Sequence, residues 1–334
     1  MARVACFGEL LLRLTPSGRE LLFQSPRLDL HFGGAEANVA IGLSALGHAT
    51  RMVSRVPDNV IGHGAIAELR RRGVDTSTVT TGPGRLGLYF LTPGAGLRAS
   101  DIVYDRAQSA FALAAGEVDW AAALDGVEWL HVSGITPALG PAGAAAAKAA
   151  VKAAKAAGVR ISFDGNYRAK LWESWDGDPR AILRELVAEA ELFFGNHRDI
   201  ALLLDKPFSG DGEVRRREAA QAAFDAFPNF KLIASTARHV DDADRHRIAA
   251  RLDARDGQWQ TEEVIVAGIV DRIGAGDAFA AGVLHGLLDG AGLEKAVHSG
   301  LALTCLKHSL PGDASLFTRA DLAAFAEGNF DVRR

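Results

Sequence analysis

The residue types that best suit the transfer of a charged group lie in the segment D-R-I-G-A-G-D at residues 271–277. Gly274 and Gly276 permit a tight turn, and the apolar residues after Asp277 recur at helical spacing, so the segment predicts a loop that leads into a helix. The free amides and the dipole of such a helix start favour an anion, typically phosphate, and Asp277 places a carboxylate in the same turn. A base beside an anion site indicates phosphoryl transfer. The alternative is that Asp277 only caps the helix and the glycines only make a turn.

A second segment begins with Gly33 and Gly34 and places Asn38 in the helix that follows. Paired glycines at a helix start let a ligand approach the backbone closely. The Asn38 amide offers both the donor and the acceptor that a sugar hydroxyl needs. By itself this signal has low specificity, because many helices begin after two glycines.

Two mid-chain segments place polar residues just after apolar runs. Arg168, which closes the segment D-G-N-Y-R at residues 164–168, could bind a carboxylate or phosphate bidentately, or form an ordinary surface salt bridge. Asn196 and Asp199 are three residues apart and therefore fall on one side of a helical turn. This pair suits Mg²⁺-bound water and donor phosphates, although Asn196 would serve equally well as an N-cap.

The elements that must position these segments alternate as in a largely parallel α/β sheet covered by helices on both faces. Strands are predicted at residues 4–7, 129–132, 159–163, 192–194, 231–234 and 263–266. Helices are predicted at residues 35–46, 142–157, 179–190 and 218–226. Ligands of such sheets bind beyond the C-terminal ends of the strands, so we expect the polar residues that follow strands to converge there.

Residues 10–32 and 86–106 interrupt the alternation with strand-like stretches that have no helix between them. We expect a small antiparallel sheet outside the main sheet, acting as a lid that excludes water from a phosphoryl-transfer site. Tyr89, Tyr104 and Arg106 lie in this lid and would close on a polar or anionic substrate. The alternatives are edge hairpins of the main sheet and ordinary strand tyrosines. The expected division is a core of residues 1–9, 33–85 and 107–334 and a lid of residues 10–32 and 86–106.

Composition argues against several other classes of protein. The 334 residues carry a formal net charge of −4 and no dense basic run, so no nucleic-acid partner is expected. The two cysteines, Cys6 and Cys305, are too far apart in sequence for a CxxC metal or redox motif. No signal peptide or membrane span is visible, so we expect a cytoplasmic protein without a membrane partner. A Walker-type phosphate loop, an HExxH motif and a G-x-S-x-G elbow are missing as well.

Taken in order, the motifs resemble those of the ribokinase-like (PfkB) family of carbohydrate kinases over nearly the whole chain. The resemblance rests on the Gly-Gly-x-x-x-Asn helix start, the polar strand ends, the Asn-x-x-acid and the closing Asp-x-x-Gly-Ala-Gly-Asp, which is highly specific for the family. It implies a ribokinase-like α/β fold with a mostly parallel central sheet, helices on both faces and a small β-sheet lid. It also implies ATP and Mg²⁺, and leaves open a need for a monovalent cation such as K⁺.

Carried over by matching position, the resemblance assigns a role to each candidate residue. Asp277 would be the general base, and the backbone amides of Gly274, Ala275, Gly276 and Asp277 would form the anion hole. The sugar site would be lined by Gly34, Asn38, Tyr89, Tyr104, Arg106 and Arg168. The nucleotide would contact Asn196, Ser235, Arg238, Gly274 and Gly276. Asn196 and Asp199 would help to place Mg²⁺ through water, although Asp199 is one methylene shorter than the glutamate of the family.

Within the family, residues 8–16, 103–106, 131–139 and 164–172 are most similar to the kinases of 2-keto-3-deoxygluconate. A carboxylate in a closed pocket needs a cation, so Arg106 and Arg168 favour a sugar acid over a neutral sugar. The implied reaction is ATP-dependent phosphorylation of a primary hydroxyl, which yields 2-keto-3-deoxy-6-phosphogluconate. The rivals are a related kinase acting on fructose, ribose or another keto-deoxy acid, and a sugar-binding sensor without catalysis. Because open sheet edges pair, we also expect a homo-oligomer through the lid.

Overall fold

A sheet of ten strands runs through the described chain, which comprises residues 3–209 and 212–328 of this computed structural model. Its strands are β1 (Val4–Phe7), β4 (Thr50–Pro57), β5 (Asp75–Gly82), β8 (Trp129–Ser133), β9 (Arg160–Asp164), β10 (Leu192–Phe194), β11 (Leu232–Asp242), β12 (Arg245–Ala254), β13 (Gln258–Gln260) and β14 (Val264–Ala267). The order is β13-β12-β11-β10-β9-β8-β1-β4-β5, and β14 also pairs with β12. The strands from β11 to β5 are parallel, whereas β12 is antiparallel to its neighbours.

Helices cover both faces of this sheet. They are α1 (Ala35–Ala45), α2 (Val60–Arg71), α3 (Ala110–Ala114), α4 (Trp120–Leu124), α5 (Ile135–Ala138), α6 (Pro141–Ala156), α7 (Ala169–Trp172), α8 (Pro179–Val187), α9 (His197–Leu204), α10 (Gly212–Ala226), α11 (Ala275–Leu288), α12 (Leu293–Lys307) and α13 (Arg319–Ala326). Alternate residues of β1 enter separate apolar cores, because successive side chains of a strand point to opposite faces. Val4 and Cys6 pack with α1, α11 and α12, whereas Ala5 and Phe7 pack with α6, α8 and α10. No described helix is long and apolar enough to cross a bilayer.

The contact between α1 and α11 decides where two predicted site residues meet. Gly42 of α1 faces Ala281 of α11 so closely that a Cβ on Gly42 would lie 3.0 Å from the Cβ of Ala281. Residues four positions apart lie on the same face of a helix. Asn38 and Asp277 each lie four positions before this contact, so the same packing brings their side chains together.

Four strands form the separate small sheet that the sequence predicted, and the role of this sheet as a lid stays a prediction. They are β2 (Leu11–Thr15), β3 (Asp29–Gly33), β6 (Gly87–Thr92) and β7 (Asp101–Asp105), in the order β3-β2-β6-β7. The alternative of edge hairpins on the main sheet is therefore wrong. Both outer pairs are antiparallel as expected, but the central pair β2–β6 is parallel. A parallel pair needs a long crossover, and the chain between β2 and β6 provides one by passing through the main sheet.

The predicted elements differ from the structure mainly at their ends. The strand predicted at residues 231–234 is only the start of β11, which pairs with β12 as far as Asp242. The sequence reading also missed several strands and helices, namely β4, β5, β12, β13, α2, α3, α4, α5, α7, α12 and α13. The lid strand β3 ends at Gly33, one residue beyond the expected boundary. The long antiparallel arm β11–β12 was missed because the outer half of β11 is polar and exposed and because polar residues interrupt the apolar residues of the buried β12.

Candidate active site

Asp277 lies in the first turn of α11 and faces α1. Its Oδ2 accepts a hydrogen bond of 2.7 Å from Nδ2 of Asn38, which is itself buried. No side chain caps the start of α11, so the carboxylate of Asp277 is not used as a cap. The alternative that Asp277 serves only as a helix cap is therefore not supported. The Oδ1 of Asn38 is buried without a hydrogen-bond partner, and it is thus available to a hydroxyl group of a ligand.

The surroundings of Asp277 favour the protonated carboxyl. Its pKa is raised to about 8, chiefly by burial; the charges of Asp164, Glu36 and Asp313 also raise it, whereas the hydrogen bond from Asn38 lowers it. A carboxylate whose pKa lies near neutrality is a better proton acceptor than an ordinary surface aspartate. Such a group in a cleft is typical of a catalytic base.

The turn before Asp277 presents backbone donors. Gly274 is the N-cap of α11 at φ 77°, a left-handed conformation that favours glycine. A Cβ at Gly274 would also overlap the carbonyl oxygen of Asp313. The amide of Ala275 donates to the carbonyl oxygen of Arg272 at 3.3 Å, whereas the amides of Gly276 and Asp277 have no acceptor among the described residues. These two amides point out of the open helix end and suit an anion.

A buried polar network connects the lid to this turn. Arg13 of β2, which is 1% exposed, forms ion pairs with Asp271 at 2.7 Å and with Asp313 at 2.8 Å. The hydroxyl of Tyr89 donates to Oδ2 of Asp313. Tyr89, predicted to contact the sugar, thus has its hydroxyl engaged inside the protein. Its ring lies 6.1 Å from that of Tyr104, which lines the same lid face.

Replacing Arg13 with Met should destabilise the fold strongly. The change leaves Asp271 and Asp313 buried without their cation, which costs about 3–5 kcal/mol of unfolding free energy. Arg19→Ala is the matched control, because Arg19 pairs with Asp244 at 2.7 Å on the surface and such pairs contribute about 0–1 kcal/mol. Urea unfolding of both variants measures the difference. Equal losses would show that the Arg13 network does not hold the lid to the core.

Arg106 also has a partner within the protein. Its Nε and Nη2 donate to Oε2 of Glu9 at 2.8 and 2.6 Å, and Ser109 donates to Oε1 of the same carboxylate. Both members of the pair are buried. Gly34, the N-cap of α1, lies against this segment, because a Cβ on Gly34 would overlap the carbonyl oxygen of Glu9. The pair is neutral overall, so Arg106 brings less free positive charge to the site than its sequence position suggests.

Arg168 has no such partner. It is exposed at the start of α7, and its guanidinium donates only to the carbonyl oxygen of Tyr167 at 3.1 Å. Arg168 therefore forms no surface salt bridge within the described chain, although this was the alternative interpretation. The pKa of Asp164 is raised to about 7, chiefly by burial and also by the charge of Asp199, whereas Arg168 acts to lower it. Arg168 is thus a free cation close to Asp164 and Asp199.

Asn196 and Asp199 form the cap that was the alternative interpretation. The side chain of Asn196 accepts from the amide of Arg198 at 2.8 Å, and Oδ2 of Asp199 accepts from the amide of Asn196 at 2.8 Å. This reciprocal pair is a capping box at the start of α9. A role of either residue toward Mg²⁺ or phosphate remains a prediction beside this capping role.

Ser235 and Arg238 lie on β11 where it leaves the covered part of the sheet. The pKa of Arg238 is lowered by burial and by the nearby Arg272, and neither arginine forms a salt bridge within the described chain. Arg272 lines a cavity of about 120 Å³ between the lid and residues 269–273; neither Asn38 nor Asp277 lines it. Two close cations without a counter-ion make an anion-binding surface beside the turn at Gly274.

The sequence reading missed several residues of this site: Glu9, Arg13, Glu36, Asp164, Arg272 and Asp313. Asp164 and Arg272 stood inside segments already singled out, and the rule that site residues follow strands would have found Asp164 and Glu9. No local signal marks the others, whose roles depend on partners far away in sequence. Together the described residues provide a base with a raised pKa, free backbone amides, arginines without carboxylate partners and several further polar side chains.

Comparison with known proteins identifies the family of the chain. Residues 1–318 match the pfkB family of carbohydrate kinases. The chain is 30% identical over 327 residues to a 2-dehydro-3-deoxygalactonokinase of Haloferax volcanii, covering 98% of this chain and 97% of that one. It is 30% identical over 315 residues to a 2-dehydro-3-deoxygluconokinase of Bacillus subtilis, with 90% and 88% covered.

A solved structure gives the same result for the fold. The crystal structure of a 2-dehydro-3-deoxygluconokinase from Thermotoga maritima superposes with a TM-score of 0.92 at 34% identity, covering 98% of this chain and all of the other. The ribokinase-like fold expected from the sequence, with its separate small sheet, is therefore confirmed. The chain belongs to the pfkB family of carbohydrate kinases and is a sugar kinase.

Proposed function

We propose that the protein phosphorylates a primary hydroxyl of 2-keto-3-deoxygluconate with ATP and thereby yields 2-keto-3-deoxy-6-phosphogluconate. The observation that carries the proposal is the carboxylate of Asp277, which is held by Asn38 beside the free amides at the start of α11. The names of the relatives support the substrate class, because both act on a 2-keto-3-deoxy sugar acid. Both relatives are 30% identical to this chain, the galactonate kinase over the larger share of it, and they are named for different epimers, so the choice of the gluconate is our own.

In the proposed reaction Asp277 accepts the proton of the sugar hydroxyl. The hydroxyl oxygen forms a bond to the γ-phosphorus as the bond from phosphorus to the bridging oxygen breaks, and ADP leaves with that electron pair. The amides of Gly276 and Asp277 would donate to the oxygens of the moving phosphoryl group. The Oδ1 of Asn38 would accept from a second hydroxyl and so keep the sugar in line. Much of the rate enhancement would then come from positioning.

The described residues fit the groups that such a reaction needs. Arg238 and Arg272 lack counter-ions within the described chain and suit the phosphates of ATP, and Arg272 lies two residues before the turn at Gly274. Ser235 stays a predicted nucleotide contact. Burial raises the pKa of Asp164 and the charge of Asp199 adds to this increase, and a divalent cation would offset both effects. Mg²⁺ would neutralise charge on the donor phosphates when bound. We therefore add Asp164 to Asn196 and Asp199 as the residues that would hold it, through water.

Recognition of the substrate carboxylate is assigned to Arg168. Arg106 remains a predicted sugar contact together with Gly34, Tyr89 and Tyr104, but Glu9 already balances its charge. Arg168 is the free cation near Asp164, and a carboxylate that enters a closing site needs such a partner. Charge therefore favours a sugar acid over fructose or ribose.

Replacing Arg168 with Ala should lower kcat/KM for 2-keto-3-deoxygluconate by about 10- to 100-fold, since a hydrogen bond to a charged group contributes about 1.5–3 kcal/mol. Turnover of neutral sugars should change little. Lys170→Ala is the matched control, because Lys170 is another exposed cation of the same short helix. A coupled assay of ADP release across sugar acids and neutral sugars measures this. An equal loss on both classes would remove the basis for the assignment.

The same panel separates the rival functions. Preference for fructose, ribose or another keto-deoxy acid would identify a different kinase of the same family. Thermal stabilisation by a sugar without ADP release would indicate a sensor that has lost catalysis. The side chain of Asp277, which caps no helix and has a raised pKa, argues against the sensor, since a sensor has no need of a base in that turn.

We propose that the small sheet is a lid and that two copies of the chain pair through it. One face of this sheet carries a row of apolar residues in register across the four strands, Leu30, Leu14, Phe90 and Val103, of which Leu14 packs against the core and the outer two are exposed. Leu30 is 62% and Val103 is 53% exposed, which is costly on an isolated lid.

Size-exclusion chromatography with light scattering should give twice the chain mass. Leu30→Glu should yield a monomer, and a monomeric wild type would contradict the proposal.

A further inference from the structure

A fully buried lysine lies beneath the turn that carries the anion hole. Lys307 is the last residue of α12 and is 0% exposed. Its Nζ donates to the carbonyl oxygen of Asp271 at 3.3 Å and to that of Leu310 at 3.0 Å. Within the described residues it forms no salt bridge with a carboxylate. A lysine ammonium is almost never buried without a specific reason, because its desolvation is costly.

The two carbonyl oxygens belong to two loops that meet at the active site. Asp271 opens the loop of residues 271–274, and Leu310 begins the loop that continues to Asp313. The two loops touch where Gly274 lies against the carbonyl oxygen of Asp313. Lys307 therefore connects the loop of residues 271–274, which leads into the anion hole, to the loop of residues 310–313, which packs against it.

The carboxylate of Asp271 is saturated by other donors. Its Oδ1 accepts from the amide of Ile273 at 2.9 Å. Its Oδ2 accepts from the amide of Gly312 at 3.1 Å and pairs with Arg13 at 2.7 Å. All three oxygens of this residue, including its carbonyl, thus face donors that belong to the chain. The positive charge in this region comes from Arg13 and Lys307, which are side chains of the protein and not bound ions.

These contacts bear on the monovalent cation that the family resemblance left open. An ion such as K⁺ is held in proteins by carbonyl and carboxylate oxygens that replace its water shell. To hold the anion hole in place, such an ion would have to be coordinated by oxygens of these two loops. Those of Asp271 and Leu310 are occupied, and an ion beside them would meet the like charges of Lys307 and Arg13. The residues present do not fit a free cation at this place.

We propose that Lys307 is a tethered cation that positions the loop of residues 271–274, so that phosphoryl transfer does not depend on K⁺. Lys307 does not touch the substrate; it acts through the amides that precede Asp277. The inference rests on the proposed function only in placing the transferred phosphoryl group at this turn. It concerns the cation dependence of the reaction, whichever sugar is the acceptor.

The first test uses the wild-type protein. Its kcat is measured with the sugar that it phosphorylates best, in chloride salts of K⁺, Na⁺ and tetramethylammonium at constant ionic strength and fixed Mg²⁺. We expect the same kcat in all three salts. A wild type that is active in K⁺ and inactive in tetramethylammonium overturns the proposal, and it does so without bearing on which sugar is the substrate.

The second test compares two variants of the same position. Lys307→Ala leaves a space that K⁺ or NH₄⁺ can enter, whereas Lys307→Met removes the charge and fills the space. In tetramethylammonium both should lose kcat by about 10²- to 10³-fold, the effect of a misplaced anion-hole donor, with little change in KM for the sugar. K⁺ or NH₄⁺ should restore kcat in Lys307→Ala and should not restore it in Lys307→Met.

Thermal unfolding supplies a readout that needs no turnover. The Tm of Lys307→Ala should rise in K⁺ relative to tetramethylammonium, while the Tm of the wild type and of Lys307→Met should not respond. Equal kcat losses in both variants without rescue, or lower Tm with kcat retained, would overturn the positioning role. If neither variant folds, the salt series on the wild type still decides whether the reaction depends on a free cation.

Discussion

Asp277→Asn is expected to lower kcat by about 10²- to 10⁴-fold, the contribution of a positioned general base. The asparagine keeps an oxygen that can accept from Nδ2 of Asn38, now 2.7 Å from the carboxylate, but it cannot take the hydroxyl proton. The KM for the sugar should change little because the binding groups remain. Steady-state ADP release with circular dichroism of both proteins measures this. Retention of most of the activity in a folded variant would falsify the assignment of the base.

The pH dependence gives an independent measure of the same group. Because the pKa of Asp277 is raised to about 8, kcat/KM of the wild type should rise with pH and level off above about 8, where the free protein holds the carboxylate ionised. The Asn variant should lack this inflection. A wild-type profile that is flat between pH 6 and 9 would contradict the raised pKa.

The same shift predicts the direction of a stability change. The folded pKa of about 8 lies above the ordinary aspartate value of 3.8, so the folded protein holds this proton more tightly than the unfolded chain. The associated stability is fully present below pH 3.8 and is lost as pH rises through 8. Relative to wild type, Asp277→Asn should therefore gain stability across this window. Urea unfolding at several pH values measures the trend.

Gly274→Ala is expected to cost both activity and stability. The added methyl group would overlap the carbonyl oxygen of Asp313, and the left-handed conformation at φ 77° is unfavourable for alanine. The turn must shift, which moves the amides of Gly276 and Asp277 away from the transferred group. We expect kcat to fall by about 10²- to 10³-fold, as for loss of one oxyanion donor. The Tm should fall as well.

Gly276→Ala is the matched control for stability. The same methyl group is added two residues later, where a Cβ would have no neighbouring atom within 4 Å and the backbone φ is not positive. Its Tm should stay near that of wild type. If both variants lose Tm equally, the close approach of Gly274 to Asp313 does not set the geometry of the turn.

Local sequence patterns predicted the main elements of the fold. The alternation of apolar runs with helical patterns identified the parallel sheet, because each run must bury residues on both of its sides. The interruption at residues 10–32 and 86–106 identified the small sheet. Long-range pairing was less accessible: the parallel pair β2–β6 and the arm β11–β12 depend on partners far away in the chain. Hence the elements were predicted better than their ends and their order.

For the site, the sequence by itself determined the residues whose task is local. Gly274 must make a left-handed turn, and Asp277 must lie in the first turn of α11; both follow from the next few residues. Only the tertiary structure decided which charges are free. Arg106 and Arg168 look alike in sequence, yet Glu9 neutralises the first and no described carboxylate pairs with the second.

The same division explains the buried cations. Arg13 and Lys307 are ordinary polar residues of a strand and of a helix end until Asp271, Leu310 and Asp313 close around them. Backbone conformation is set by neighbours in the chain, and so a motif can reveal it. Burial, pairing and pKa are set by groups that folding brings together from distant positions, and these properties therefore became visible only in three dimensions.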